Sequence, residues 1–244
     1  MSDENKERRP AYGWAAFRVL LVGLAFGTWF LFGYSKSPFT DAWNPLVPLN
    51  IADEYTPLTK WKMRRALAGT ESCLAALETG ARVERLPDFE ESDQCHIRPQ
   101  VRISGVGDAR LSPVKTRCQT ALRIAMWERH GIQPAAQRLL SANVARIEHF
   151  SSYSCRQMRT TNSGAPRMSA HATADAIDVS GFVLSDGRKV TLLANWKEPE
   201  PQAAFLKDVR DSACTWFGLV LSPDYNAAHH DHFHMDQGRW SRCR

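Results

Sequence analysis

Two short segments of this 244-residue chain hold most of the side chains that could carry out chemistry. HHDHFH runs from His229 to His234 and SAHATADAID from Ser169 to Asp178, and together they contain five of the eight histidines. A catalytic zinc ion needs imidazole and carboxylate ligands from separate elements, with a spare acid or base beside them. The two segments therefore predict one shared metal site.

In the C-terminal segment, histidines occupy every second position from His230 to His234, a period of two that is typical of a strand. In a regular strand, His230, His232 and His234 would share one face, and Asp231 and Phe233 would point to the other. Three imidazoles on one face are unfavourable unless they are solvated or bind a metal. The alternatives are therefore a solvated histidine turn and a metal-binding strand.

The upstream segment, Ser169–Asp178, supplies further candidate ligands for the C-terminal segment, His229–His234. Seven residues separate His171 from Asp178, so a loop can bring the histidine back over the start of the strand that carries the carboxylate. With His234, these residues make three predicted zinc ligands and leave a fourth tetrahedral position for water, whose pKa zinc lowers to about 7. The competing interpretation of Asp178 is a hydrogen-bonded structural carboxylate.

At these motifs the sequence resembles known proteins. The run SSYSCR at Ser151–Arg156, followed by SAHATADAID and HDHFH, resembles the LAS zinc peptidases, which include lysostaphin, D-Ala-D-Ala metallopeptidases and hedgehog. From about Cys73 to Cys243 the chain is more similar to the bacterial extensin-like C-terminal domain family, which has spaced cysteines and closely matching runs. The glycine of the LAS motif is Ala174 here, an alanine that the extensin-like family shares.

The resemblance implies a role for each matching residue. It implies the same three zinc ligands, with Asp231 as the general base, His232 as a supporting histidine and Arg156 as the group that polarises a carbonyl or binds a carboxylate. Ser169 is implied to be a loop-shaping hydrogen-bond donor. Regular strand geometry conflicts with one role, because Asp231 would point away from His234. Either a bulge interrupts the strand or His232 is the base.

The N-terminal segment predicts a membrane anchor. Residues 15–34 are apolar apart from Arg18 and follow a basic flank, so we expect residues 1–14 in the cytoplasm and a single span over 15–34. Residues 35–56 are predicted to form a linker, and residues 57–244 the exported zinc domain. We expect the anchor in the inner membrane of a bacterium and the zinc domain in the periplasm. The alternative is a signal peptide cleaved near Gly33-Tyr34-Ser35.

All six cysteines follow the apolar segment. An even number in an exported domain predicts three disulfides in an oxidising compartment. Fifteen connectivities are possible, of which Cys73 with Cys95 is the most local. We also expect Cys243, the penultimate residue, to pin the C-terminal tail.

Periodicity along the chain predicts an α+β fold, with a small antiparallel sheet carrying the zinc site and packed against N-terminal helices. Helices are predicted over 57–77, 113–130, from Pro134 onward and over 201–214. Strands are predicted over 144–150, 176–179, 217–221 and 232–235, with a hairpin over 181–193 that turns at Asp186-Gly187 and short strands or loops in 81–112.

Charge and composition narrow the partners. The net charge is +5, the pI is about 9.0, and aromatic residues are scattered without a basic stripe, which argues against nucleic-acid binding. A mildly basic domain suits an anionic wall polymer. Together with the predicted export and disulfides, the resemblance to D-alanyl peptidases implies a zinc peptidase that cleaves peptidoglycan stem peptides or cross-links by attack of zinc-bound water. The alternatives are a non-catalytic, zinc-stabilised wall-binding module and a scaffold whose histidines buffer metal.

Overall fold

The computed structural model describes residues 12–33, 39–158, 167–198, 201–238 and 242–243. The helices are α1 (Tyr12–Thr28, continuing as a π-helical turn over Trp29–Gly33), α2 (Thr59–Leu67), α3 (Thr70–Glu78), α4 (Cys118–Trp127), α5 (Gln133–Leu140), α6 (Leu192–Asn195) and α7 (Gln202–Ala213). The strands are β1 (Ala81–Arg85), β2 (Phe89–Ser92), β3 (Cys95–Ile97), β4 (Gln100–Val106), β5 (Ala109–Arg117), β6 (Val144–His149), β7 (Ala176–Leu184), β8 (Lys189–Thr191), β9 (Leu219–Leu221), β10 (Phe233–Asp236) and β11 (Arg242–Cys243).

The N-terminal helix is long and apolar enough to cross a bilayer over Gly13–Gly33. Its large apolar side chains are exposed; Val19, for example, is 73% exposed, as expected of a helix that does not belong to the core. Length and composition fit a membrane anchor and a signal sequence equally well. Residues 1–11 and 34–38 lie outside the described residues, and with them most of the predicted cytoplasmic segment, the start of the linker and two residues of the Gly33-Tyr34-Ser35 site.

Nine strands form one mixed sheet in the order β1-β4-β5-β6-β7-β10-β9-β11, with β8 paired to β7. The α+β class is confirmed, but the prediction of a small antiparallel sheet is wrong, because β5 runs parallel to β6 and β9 parallel to β11. A parallel pair needs a long crossover connection. Helices α4 and α5 form this crossover, because they connect β5 to the parallel strand β6.

The helix predicted over 113–130 begins later, at Cys118, because strand β5 continues to Arg117. Pro113 had suggested a first helical turn, but it lies in this strand beside an irregularity in the β4–β5 register, between Ile103 and Gly105. Proline is tolerated in a sheet at such positions, since its missing N–H removes no regular ladder hydrogen bond. The predicted first helix likewise divides into α2 and α3, with Gly69 as the N-cap of α3.

Other predicted elements are confirmed within a few residues. Strand β6, helices α5 and α7 and the β7–β8 hairpin lie where the patterns placed them, and Gly187 at the hairpin turn has a φ of +89°. Strand β7 is longer than predicted, since it runs from Ala176 to Leu184. The core beside these strands includes the fully buried rings of Trp127, Phe182 and Phe205, with Phe182 in edge-to-face contact with both others.

The cysteines pair as Cys73–Cys118, Cys95–Cys155 and Cys214–Cys243, and no cysteine of the described residues is free. The most local option, Cys73 with Cys95, is therefore not the pairing that forms. Cys73 lies on the buried face of α3, which packs against the start of α4, whereas Cys95 lies on a separate two-stranded ribbon. The expectation that Cys243 pins the tail is confirmed.

Candidate metal centre

His171 lies on a short 3-10 turn over Ala170–Thr173, where the chain enters β7. Ser169 caps this turn, and its hydroxyl accepts a hydrogen bond from the backbone N–H of His171 at 3.3 Å. The serine therefore shapes the loop as expected, but as an acceptor and not as a donor. The imidazole of His171 is only 1% exposed, so the turn carries it into the protein interior.

The turn ends at Ala174, which adopts the left-handed conformation with a φ of +50°. Left-handed backbone costs an alanine about 1–2 kcal/mol, a cost that a glycine would avoid. Neighbouring side chains hold the strained turn: Thr120 donates a hydrogen bond to the Ala174 carbonyl at 2.9 Å, and Thr116 Oγ1 lies 3.3 Å from the same oxygen. The histidine turn is thus anchored to β5 and α4.

Sheet register brings the other two predicted ligands together. His234 on β10 is the direct cross-strand partner of Asp178 on antiparallel β7, so their side chains leave the same face of the sheet. The alternation in β10 turns Phe233 and Met235 to the opposite face, where both are fully buried. Burial of these two apolar side chains fixes the register, because a slip of one residue would bury His234 instead.

The three predicted ligands meet at a point. One ligand atom from each of His171, Asp178 and His234 lies within 4.8 Å of the others. His171 Nε2 lies 3.1 Å from Asp178 Oδ1 and 3.1 Å from His234 Nδ1, and His234 Nδ1 lies 2.9 Å from Asp178 Oδ1. Two imidazoles and a carboxylate are a common donor set for zinc.

The outer nitrogen of each imidazole is already bound to the protein. His171 Nδ1 donates to the Ser152 carbonyl at 3.0 Å, and His234 Nε2 donates to Asp236 Oδ2 at 3.3 Å. Because a carbonyl oxygen only accepts, His171 must carry its proton on Nδ1, and Nε2 offers a lone pair to the cluster. Metal-binding histidines are held in this way by carbonyl and carboxylate groups. The donor set therefore fits a divalent metal ion.

Without a metal, one proton serves all three ligand atoms. His234 Nδ1–H can point to Asp178 Oδ1 and His171 Nε2, both acceptors. Burial lowers the pKa of His234, but the hydrogen bonds to Asp178 and Asp236 outweigh it and raise that pKa to about 9. Burial by itself would raise the pKa of Asp178, but the neighbouring imidazoles of His171 and His234 hold that pKa well below its usual range. The proton occupies the place that a cation would take.

His232 and Asp231 form a hydrogen-bonded pair at the edge of the cluster. His232 Nδ1 lies 2.8 Å from Asp231 Oδ1, and its Nε2 lies 3.8 Å from Asp178 Oδ1. Strand β10 begins only at Phe233, so the alternation predicted from His230 does not extend through these residues. Of the two candidate bases, His232 presents its free nitrogen to the cluster, and the Asp231 carboxylate orients it from behind.

Arg156 belongs to a segment that runs alongside the histidine turn. The backbone carbonyl of Arg156 accepts from Ser169 N at 3.0 Å, and Ser154 N donates to the His171 carbonyl at 3.0 Å. The Cys95–Cys155 disulfide ties the same segment to the β2–β3 ribbon. After burial and the nearby His232 and His234, the positive charge of Arg156 makes a smaller contribution to the low pKa of His229.

His229 has no role in the sequence-based interpretation, yet it lies beside the cluster. Its ring centroid is 5.2 Å from that of His232 and 5.8 Å from that of His234. Burial and the nearby His232 and His234 lower its pKa to about 4, so it is neutral at physiological pH. Asn226, which caps the 3-10 turn Ala227–His229, orients it by a 2.7 Å hydrogen bond. His230, in contrast, is exposed.

The centre is closed on one side and open on the other. His171 is sealed, while the side chains of Asp178, His232 and His234 retain 13–14% exposure, and that of Asp231 retains 30%. The exposed edge of the cluster is therefore formed by Asp178, Asp231, His232 and His234.

Of the comparisons with known proteins, only the one with family models found a match. The chain matches no curated protein and no solved structure. The family model described as "Extensin-like protein C-terminus" matches residues 71–244, a span that contains the three predicted ligands and all six cysteines. The chain belongs to the extensin-like protein C-terminus family.

Proposed function

We propose that this protein is a zinc-dependent peptidase, anchored in the bacterial inner membrane, that cleaves peptidoglycan stem peptides or their cross-links in the periplasm. The observation that carries the proposal is the convergence of His171 Nε2, Asp178 Oδ1 and His234 Nδ1, with the outer nitrogens of both imidazoles already bound to acceptors. A purely structural cluster of hydrogen bonds would have no need of two acceptor atoms 3.1 Å apart.

Zinc fits this donor set, and His171, Asp178 and His234 would hold it. When bound, zinc would act as a Lewis acid and bring the pKa of a water molecule close to 7. The resemblance to LAS zinc peptidases in the SAHATADAID and HDHFH motifs supports the same assignment, as does the partial exposure of the cluster, which leaves room for a substrate.

His232 is the proposed general base and acid. Its Nδ1–H donates to Asp231, so the lone pair of Nε2 faces the cluster beside Asp178. An imidazole held in this tautomer can take a proton from an attacking water and deliver it to the leaving amine. Asp231, first expected to be the base itself, would stabilise the imidazolium that forms in between. Arg156 is proposed to polarise the substrate carbonyl or to bind a terminal carboxylate.

The proposed location rests on the first helix and on the disulfides. A segment able to span a bilayer, preceded by Lys6, Arg8 and Arg9, favours an N-terminus that stays in the cytoplasm and an exported domain. Three disulfides after this segment are typical of an oxidising compartment. Peptidoglycan is the peptide-bearing polymer of that compartment, and a basic domain suits it.

The test combines metal analysis with a cleavage assay on the full chain in detergent. Protein purified without chelators should hold about one equivalent of zinc and convert cross-linked muropeptide dimers to monomers or shortened stems. His234→Asn should lose the metal and the activity together. His230→Asn is the matched control, since this exposed imidazole contacts only the Ala227 carbonyl among its described hydrogen bonds, and it should keep both.

The same experiment separates the alternatives. One equivalent of zinc with muropeptide binding but no cleavage would identify a zinc-stabilised wall-binding module. Weak, exchangeable metal without muropeptide binding would favour a metal-buffering scaffold. Either result would refute the peptidase proposal.

A further inference from the structure

Four aromatic rings form a continuous row across the mouth of the candidate centre. The row runs from Phe150 through His232 and His229 to Tyr225, and consecutive ring centroids are 5.6, 5.2 and 5.6 Å apart. These spacings are typical of favourable ring–ring contacts. Two members of the row, His232 and His229, border the metal ligands directly, so the row is continuous with the site.

The two ends of the row are exposed. Phe150 is 56% exposed and Tyr225 is 45% exposed, although both are held by ordered backbone. Phe150 N donates to the Asp178 carbonyl at 2.9 Å, which ties this residue to the ligand-bearing strand. Tyr225 closes a turn in which its N–H donates to the Ser222 carbonyl at 2.9 Å. Exposed aromatic side chains on rigid backbone beside a reactive centre indicate a binding surface.

The sheet itself offers no backbone to a substrate at this point. Strand β10 is hydrogen-bonded to β7 on one side and to β9 on the other, so a substrate cannot add to it as a further strand. Recognition beside the centre must therefore come from side chains, and the row supplies the largest apolar ones.

We propose that Phe150 and Tyr225 are specificity-determining residues that hold an extended peptide with small aliphatic side chains, one on each side of the metal ligands. The inference rests on the proposed function, since it takes the stem peptide as the occupant. With the three spacings above, the row is no longer than about five residues of extended chain. Flat ring faces gain from contact with methyl and methylene groups, whereas a hydrated charged chain would gain little.

Affinity and turnover are measured separately so that the two proposals can fail independently. The dissociation constant of cross-linked muropeptide dimers is determined calorimetrically on the full chain in detergent after EDTA treatment, which prevents turnover. Cleavage by the zinc-loaded protein is followed in parallel. Phe150→Ala and Tyr225→Ala should each raise the dissociation constant about tenfold, whereas Tyr225→Phe, which keeps the ring, should stay within twofold of the wild type.

Tyr55→Ala is the matched control, because Tyr55 is similarly exposed and its ring contacts are His130 and Trp216. It should leave the affinity unchanged. If Phe150→Ala does not fold, judged by its thermal unfolding, then Phe150→Leu replaces it, with an expected rise of about threefold because the apolar volume stays and the flat face is lost.

Equal affinities for the wild type and both alanine variants would overturn the inference, and so would an equal loss in Tyr55→Ala or a wild type that binds no muropeptide. The expected pattern of affinities without cleavage by the zinc-loaded wild type would support the aromatic row and refute the peptidase.

Discussion

The shared proton of the ligand cluster makes a quantitative prediction about zinc binding. In the metal-free protein the pKa of His234 is about 9, so at pH 7 only about 1% of molecules have lost the proton that zinc must displace. Two pH units correspond to a factor of about 100, or about 2.7 kcal/mol of apparent binding free energy. Between pH 6.5 and 8, the apparent dissociation constant should therefore fall about tenfold per pH unit.

Calorimetry tests this prediction. Zinc is titrated into the EDTA-treated, dialysed protein at pH 7 in two buffers with different ionisation enthalpies, and the difference in measured heat counts the protons released. About one proton per zinc is expected, and a chelator competition from pH 6.5 to 8 should give a total change of about 30-fold. Asp236→Asn should weaken zinc binding by about 10- to 100-fold, since it replaces the charged carboxylate that accepts from His234 Nε2 by a neutral amide.

The reasoning would be refuted by zinc binding that releases no proton at pH 7, or by an affinity that changes less than threefold over this range. His230→Asn is again the control, and its proton release should equal that of the wild type. A metal site elsewhere in the chain would show itself by surviving the His234→Asn substitution.

The same proton links the stability of the metal-free protein to pH. Because the folded-state pKa of His234 lies above the value of 6.5 expected for an unfolded chain, the stabilising contribution is complete below pH 6.5 and is lost as the pH rises through about 9. The difference between these two pKa values corresponds to about 3 kcal/mol in the free energy of unfolding. The depressed pKa of Asp178 acts in the opposite direction, with a contribution present above pH 4 and lost in acid. Zinc should abolish the alkaline loss.

Three further predictions concern other parts of the site. His232→Gln should lower kcat by about 10²- to 10⁴-fold with zinc still bound. Asp231→Asn should lower kcat less, because only the partner that orients His232 is lost. If kinetic and metal assays instead show the larger effect for Asp231→Asn, then Asp231 is the base. Ser152→Ala should reduce the free energy of unfolding in urea by about 1–3 kcal/mol, since it removes a buried hydroxyl with two hydrogen bonds, and an unchanged midpoint would contradict this. Replacing Cys95 and Cys155 together by Ala should reduce the free energy of unfolding by about 4 kcal/mol in the same assay. It should also raise the KM for muropeptides, because the disulfide tethers the segment that carries Arg156. An unchanged KM would show that the disulfide does not position Arg156.

Local patterns were sufficient for much of the fold. The apolar run near the N-terminus, the helical periodicity of α5 and α7, and the Asp186-Gly187 turn were all readable because each depends on neighbours a few residues apart. The identity of the candidate ligands was readable for a related reason. The types of side chain that bind zinc are few, and the spacing of His171 and Asp178 is a local property.

Long-range contacts decided what the sequence left open. Pro113 is typical of the first turn of a helix, but β5 pairs with β4 up to Arg117. Strand pairing therefore outweighs the local preference of this proline for a helix start. The disulfide pattern was one of fifteen possibilities, and Cys73 found its partner on a helix 45 residues away. Sequence periodicity indicates which face of a helix or strand is buried, but not which other element packs against that face.

The sequence by itself determined which residues were available for a metal site: two histidines, an aspartate and a spare base, on two segments with a conspicuous composition. Only the tertiary structure decided how they meet. The β7–β10 register places His234 opposite Asp178, and the break before Phe233 turns His232 toward the cluster with Asp231 behind it. The physical reason is that register depends on burying Phe233 and Met235 against the core, a contact between elements more than 50 residues apart in the chain.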